Sequence, residues 1–68
     1  MKNNQMLKGA IVAAGEDQKK VAADMGLNIK TFYNKINLRT RKGRVVRFNE
    51  QERAYLAERF GINKKYIQ

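Results

Sequence analysis

An all-α fold, one compact five-helix domain spanning residues 1–68, is what this sequence predicts. Three observations carry that prediction. Apolar residues recur at helical spacing in successive segments, Asn, Asp or Gly stands at each boundary between them, and the chain has no Pro to interrupt a helix. At 68 residues there is material for one modest core and too little for a second.

Leu7, Ala10, Ile11 and Ala14 fall at i, i+3, i+4 and i+7, which gives a first helix over about residues 4–14 ending at Gly15. Asp17 suits the N-cap of a second helix, because its carboxylate can accept orphan backbone N–H groups and meets the positive end of the dipole. That helix carries Val21, Ala22 and Met25 on one side and stops at Gly26. Asn28 caps a third helix over about 29–37, with Ile29, Phe32 and Ile36 at helical spacing. From Leu38 to Phe48 the periodicity disappears. The segment NLRTRKGRVVRF reads either as an extended loop or as a short hairpin turning at Lys42-Gly43. Asn49, three residues before Glu52, has the capping-box pattern and opens a fourth helix whose inward face holds Arg53, Leu56, Ala57 and Phe60, the Arg at its edge. Gly61 ends it, Ile62 plugs the core, and Asn63 caps a short fifth turn through Ile67.

Composition narrows the function. There is no Cys and no His, which removes disulfides, thiol chemistry, the usual zinc sites and imidazole catalysis. Asp17, Glu50 and Glu52 sit in helix caps or first turns and Glu58 faces outward, so no catalytic pair is expected, and no enzyme, metal site, cofactor or small-molecule ligand. The longest apolar run, GAIVAAG at 9–15, is too short for a bilayer, and MKNNQ lacks the layout of a signal peptide, so no membrane partner and a cytosolic location are expected. Fifteen Lys plus Arg against six Asp plus Glu leave a net charge of +9, a field that concentrates a domain of this size on polyanions. The excess is uneven: Arg39, Arg41, Lys42, Arg44 and Arg47 put five bases into nine residues with no acid among them.

The run QKKVAADMGLNIKTFYNKIN, residues 18–37, has the layout of a helix-turn-helix. Ala22 is small where two helices cross closely, Gly26 supplies the positive φ of a sharp turn, and Val21, Met25, Leu27, Phe32 and Ile36 fill the angle between the helices. The second helix of the pair is thereby braced with its N-terminal half exposed, the geometry that enters a major groove. The apolar-Ala-x-x-apolar-Gly-apolar core of the pattern also serves helical hairpins that never touch DNA. The leading Gln, the polar cap, the polar outward face of 29–37 and the net charge tip the balance to DNA.

In these residues, and in the preceding helix and the following F-N-x-x-E…LAERFGI, the chain resembles the phage Cro/repressor-like helix-turn-helix family with a lambda-repressor-type DNA-binding domain. It departs from that family in its long basic link at 38–48. The resemblance implies a sequence-specific regulator of transcription acting on double-stranded DNA, a phage or mobile-element repressor working at the nucleoid of a bacterial cytosol. Transferred by position, Asn28, Ile29, Lys30, Tyr33 and Asn34 reach base edges, and their chemistry suits adenine, guanine or a thymine methyl. Gln18 matches the family's phosphate-contacting Gln. Thr31, Asn37, Arg39, Arg41, Lys42 and Arg44 are the next phosphate candidates.

LAERFGIN at 56–63 echoes VAADMGLN at 21–28, yet only five residues of this sequence follow it, too few for a second reading helix. Two helix corners face one steric demand, so the second copy is expected to act as a brace. The resemblance implies a dimer contact here through Phe60, Ile62, Tyr66 and Ile67, taken as exposed apolar residues, in a homodimer that is weak or induced by DNA. Two rival readings remain. An excisionase-like architectural factor would use 38–48 as a wing in the minor groove, and pairing of Val45 and Val46 with residues 38–41 would favour it. A protein-interaction module, antirepressor or antitoxin, would turn the same helical hairpin against protein.

Overall fold

In the computed structural model, which describes residues 4–68, the chain forms α1 (Gln5–Ala13), α2 (Gln18–Asp24), α3 (Ile29–Ile36), strands β1 (Thr40–Arg41) and β2 (Arg44–Val45), α4 (Glu50–Phe60) and a 3-10 turn (Lys64–Tyr66). Lys2 and most of MKNNQ, read above for a leader layout, lie outside the described residues. Among the described residues no helix is long and apolar enough to cross a membrane.

Each cap expected from the sequence is made. Asp17 accepts from the Lys20 amide at 2.8 Å, Asn28 from Lys30 at 2.8 Å and Asn63 from Lys65 at 3.0 Å. The capping box is complete: Asn49 accepts from the Glu52 amide at 2.8 Å while its own amide donates to Glu52 Oε1 at 2.9 Å. The two echoing segments build the same corner. The Leu27 amide donates to the Ala22 carbonyl at 2.8 Å across Gly26, and the Ile62 amide donates to the Ala57 carbonyl at 3.0 Å across Gly61. Gly26 holds φ 73°, the left-handed value that reverses the chain between α2 and α3.

The prediction of five helices is corrected at the end of the chain, and of the two readings of the basic link one is decided. The last segment is a single 3-10 turn, because Tyr66 and Ile67 donate three residues back, to Asn63 and Lys64, and no α-type bond follows. The basic link is a hairpin. Thr40 pairs with Val45 and Arg41 with Arg44 in antiparallel register, and the Val46 amide donates to the Arg39 carbonyl at 2.8 Å. Its start is set at the end of α3: the Leu38 and Arg39 amides close on the Lys35 and Asn34 carbonyls with Leu38 at φ 53°. That left-handed ending, ordinarily a glycine's place, turns the chain out of the helix and into β1.

Leu7 and Ile11 of α1, Val21 and Ala22 of α2, Phe32 and Ile36 of α3 and Leu56 of α4 form the core, with Met25, Leu27, Ile29 and Ala57 packed against it. Ala14, placed by its spacing on the inward face of α1, is exposed. Two core residues come from outside the α-helices. Phe48 closes the link against α3, its ring 5.5 Å from that of Phe32 and tilted by 60°, an arrangement worth about 0.5–1.5 kcal/mol beyond the area buried. Ile67 is 1% exposed. The family resemblance would have it present an apolar surface to a second copy. Instead the chain after the 3-10 turn runs extended beside Phe48, whose amide donates to the Gln68 carbonyl at 3.2 Å, and this seats Ile67 in the core.

Candidate nucleic-acid interface

Helices α2 and α3 meet at the Gly26 corner with Val21, Ala22, Phe32 and Ile36 buried between them and the rest of the core. Burying Phe32 and Ile36 fixes which side of α3 faces out. Lys30, Thr31 and Tyr33 are exposed, and Asn34 is half-buried with no side-chain hydrogen bond among the described residues. Their donors and acceptors are therefore free for a ligand.

Three of the residues singled out from the sequence are less free. The Asn28 side-chain oxygen holds the Lys30 amide, so Asn28 cannot offer both amide atoms to an adenine while it caps α3. Ile29 is half-buried against the core. Asn37 donates from Nδ2 to the Tyr33 carbonyl at 2.9 Å and accepts from Lys8 Nζ, so its amide finishes α3 and holds a lysine from α1. Lys8 is the residue the sequence reading missed. No local signal links it to a position 29 residues away. Gln18 opens α2 half-buried, in a shallow groove shared with Ile11, Val12, Glu16, Asp17 and Tyr33. Asp17 already caps that helix with its carboxylate, so an anion there would meet a negative neighbour. Of the dimer candidates, Tyr66 is exposed beneath the Lys65 ammonium, 5.2 Å from the ring centroid, while Phe60 and Ile62 are half-buried against the core.

The arrangement of charge is uneven in space as well as in sequence. Arg59 bridges Glu16 and Asp24, the latter at 2.9 Å; Lys20 also approaches Asp24; Lys35 pairs with Glu52 at 2.8 Å; Arg53 and Lys64 share Glu50. The hydrogen bond from Arg59 holds the Asp24 carboxyl below its ordinary range, and Lys64 does the same for Glu50. Arg59 is in turn pushed up, first by Asp24. Four of the six acids are thus neutralised by bases of α2, α3, α4 and the 3-10 turn, and a fifth, Asp17, caps a helix. Among the described residues, Lys30 and all five bases of 39–47 pair with no carboxylate. Arg39, Arg41, Lys42, Arg44 and Arg47 are all exposed, on a hairpin that leaves the C-terminal end of α3.

No protein-family model, curated protein or solved structure matches the chain.

Proposed function

We propose that this domain is a sequence-specific double-stranded DNA-binding regulator, a phage or mobile-element repressor of the Cro/repressor-like helix-turn-helix kind. It reads the major groove with α3 and holds the flanking backbone with the basic hairpin. The observation that carries the reading is the charge segregation: four of the six acids are paired elsewhere, and Lys30 and the five hairpin bases pair with no carboxylate among the described residues, beside an α3 face of free polar side chains. Free cations next to free hydrogen-bonding groups are what binding to phosphates and base edges requires.

Within this reading Lys30, Tyr33 and Asn34 carry base contacts, Thr31 and Arg39 hold phosphates together with Lys8 and Arg47, and Arg41, Lys42 and Arg44 at the hairpin tip hold the flanking duplex. Asn28 and Asn37 act by shaping α3. A weak or DNA-induced homodimer, touching through Tyr66 and the edges of Phe60 and Ile62, places two α3 helices about 34 Å apart on successive half-sites. Repression is then steric, by occupation of a promoter.

Selection of bound sequences from random duplex DNA tests the reading. The wild-type protein is expected to enrich one motif and Asn34→Ala to change its preference at one position. Arg39→Ala should weaken binding to all sequences and reduce the salt slope by about 0.9. Failure of the folded wild-type protein to enrich any motif counts against sequence-specific binding and in favour of a protein-interaction module. The architectural reading has a specific observation on its side, the pairing of Arg39, Thr40 and Arg41 with residues 44–46. Strong bending of the bound duplex with little sequence preference is the result that distinguishes it.

A further inference from the structure

The tip of the hairpin is built against its own local preferences. Lys42 and Gly43 have φ 52° and 76°, the mirror-image turn that suits a two-residue hairpin and that Asn, Asp or Gly ordinarily occupies at its first position. Lysine stands there instead, in a conformation that L side chains adopt at a cost. Arg41 and Arg44 are directly opposite each other in the register, a like-charge pair that weakens a ribbon, with no carboxylate to relieve it among the described residues. Each strand has only two residues, so little pairing compensates. A turn selected for stability alone would place Asn at 42 and an acid opposite Arg41. A polyanion bound at the tip turns all three cations from a cost into a gain.

The geometry favours one position on a duplex. Residues directly opposite in a ribbon share a face, their Cβ atoms about 5 Å apart. Two guanidinium groups held side by side at that spacing match a minor groove about 6 Å wide, whereas single mobile cations suffice for a row of phosphates. Arg39 and Arg47, at the base of the hairpin, already supply such cations. From Arg39 to Lys42 the chain spans at most about 10 Å, so a hairpin rooted at the end of a helix in the major groove crosses one sugar–phosphate backbone and stops in the adjacent minor groove. Guanidinium donors there find the acceptors of A·T pairs and the deeper negative potential of a narrow A·T groove. A G·C pair presents an amino donor that cannot pair with them.

We propose that the Arg41–Lys42–Gly43–Arg44 turn enters the minor groove beside the α3 site and adds a preference for A·T pairs there, an inference that rests on the DNA-binding reading above. The test uses the selected motif with three flanks: A·T, G·C and inosine·C, which resembles A·T in the minor groove and G·C in the major groove. Wild-type protein is expected to bind the A·T and inosine·C duplexes alike and the G·C duplex about fivefold or more weakly, the low end of the cost of one unsuitable base pair. The Arg41→Ala/Arg44→Ala protein should bind all three flanks equally, more weakly than wild type, while still preferring the central motif. Lys42→Asn, which suits the left-handed turn, should be at least as stable to heat as wild type yet bind the A·T-flanked duplex less tightly. If inosine·C behaves as G·C, or all flanks bind wild type equally, the inference is overturned while a surviving central motif leaves the regulator reading intact. Unchanged affinity in Lys42→Asn also overturns the inference, because the lysine at the turn would then serve no contact. Absence of any selected motif overturns both readings.

Discussion

Asn4 Oδ1 accepts a hydrogen bond from the Gln68 amide at 2.7 Å, joining two residues 64 apart in sequence across a side chain that is 0% exposed. The same Asn reaches the Lys35 carbonyl with Nδ2 at 3.4 Å, and the Gln68 carbonyl accepts from Phe48. One buried amide thereby ties α1 to the segment that seats Ile67 and to the end of the basic hairpin. Asn4→Ala leaves the half-buried Gln68 N–H without its partner and is expected to cost about 1–3 kcal/mol in urea unfolding. Hydrogen exchange at Gln68 and Phe48 should quicken beyond what the global loss accounts for. A variant as stable as wild type would show the tie to be dispensable.

The Arg59 bridge predicts an acid sensitivity. A carboxyl lowered by folding contributes stability that is fully present above its unfolded pKa and is lost as pH falls through its folded value. Asp24 lies below its ordinary 3.8, chiefly through the Arg59 hydrogen bond, and Glu50 below 4.5 through Lys64. Melting temperature should therefore fall as the pH drops from roughly 5 to 2, and Arg59→Met should show a shallower fall because Asp24 loses the largest cause of its lowering. Parallel curves for the two proteins would exclude the bridge as the cause.

Glu52 serves two partners, closing the capping box of α4 and pairing with Lys35 of α3, with side chains only 15% and 17% exposed. Glu52→Gln keeps an acceptor for the Asn49 amide and removes the charge, at an expected cost of about 1–2 kcal/mol, between the surface and the buried limits. Asn49→Ala should cost about 1 kcal/mol. Because both act on one network, the double variant should lose at least about 0.5 kcal/mol less than the two single losses together. Additive losses in denaturant titrations would mean that cap and ion pair are independent.

At Gly26 a Cβ would meet nothing within 4 Å, so crowding is not the constraint there. The cost of Gly26→Ala should be that of the left-handed backbone alone, about 1–2 kcal/mol, and Gly26→Asn should cost visibly less. Equal losses in thermal melts would point to a constraint other than φ. If α3 reads DNA as proposed, either change, by loosening the corner that aims α3, should reduce DNA affinity by more than it reduces stability.

How much of this molecule is legible in its sequence depends on how far each interaction reaches. Asp17, Asn28, Asn49 and Asn63 cap helices through amides two or three residues away, so the starts of α2, α3, α4 and the final turn could be read from the residues themselves. The Ala-Gly-apolar corners are equally local, and so the echo between 21–28 and 56–63 forecast one geometry twice. The hairpin stood at the edge of legibility, because Lys42-Gly43 is a weaker turn signal than Asn-Gly and the deciding left-handed bend falls on a leucine. Of the candidate site, the sequence located Lys30, Thr31, Tyr33 and the basic run. The tertiary structure alone decided the rest: that Ile67 is core, that Phe48 meets Phe32, that Asn37 is held by Lys8, and that four of the acids are drawn to Arg59, Lys35 and Lys64 while the bases of 39–47 pair with no carboxylate among the described residues. Those outcomes rest on partners 14 to 64 residues apart, which only packing brings together.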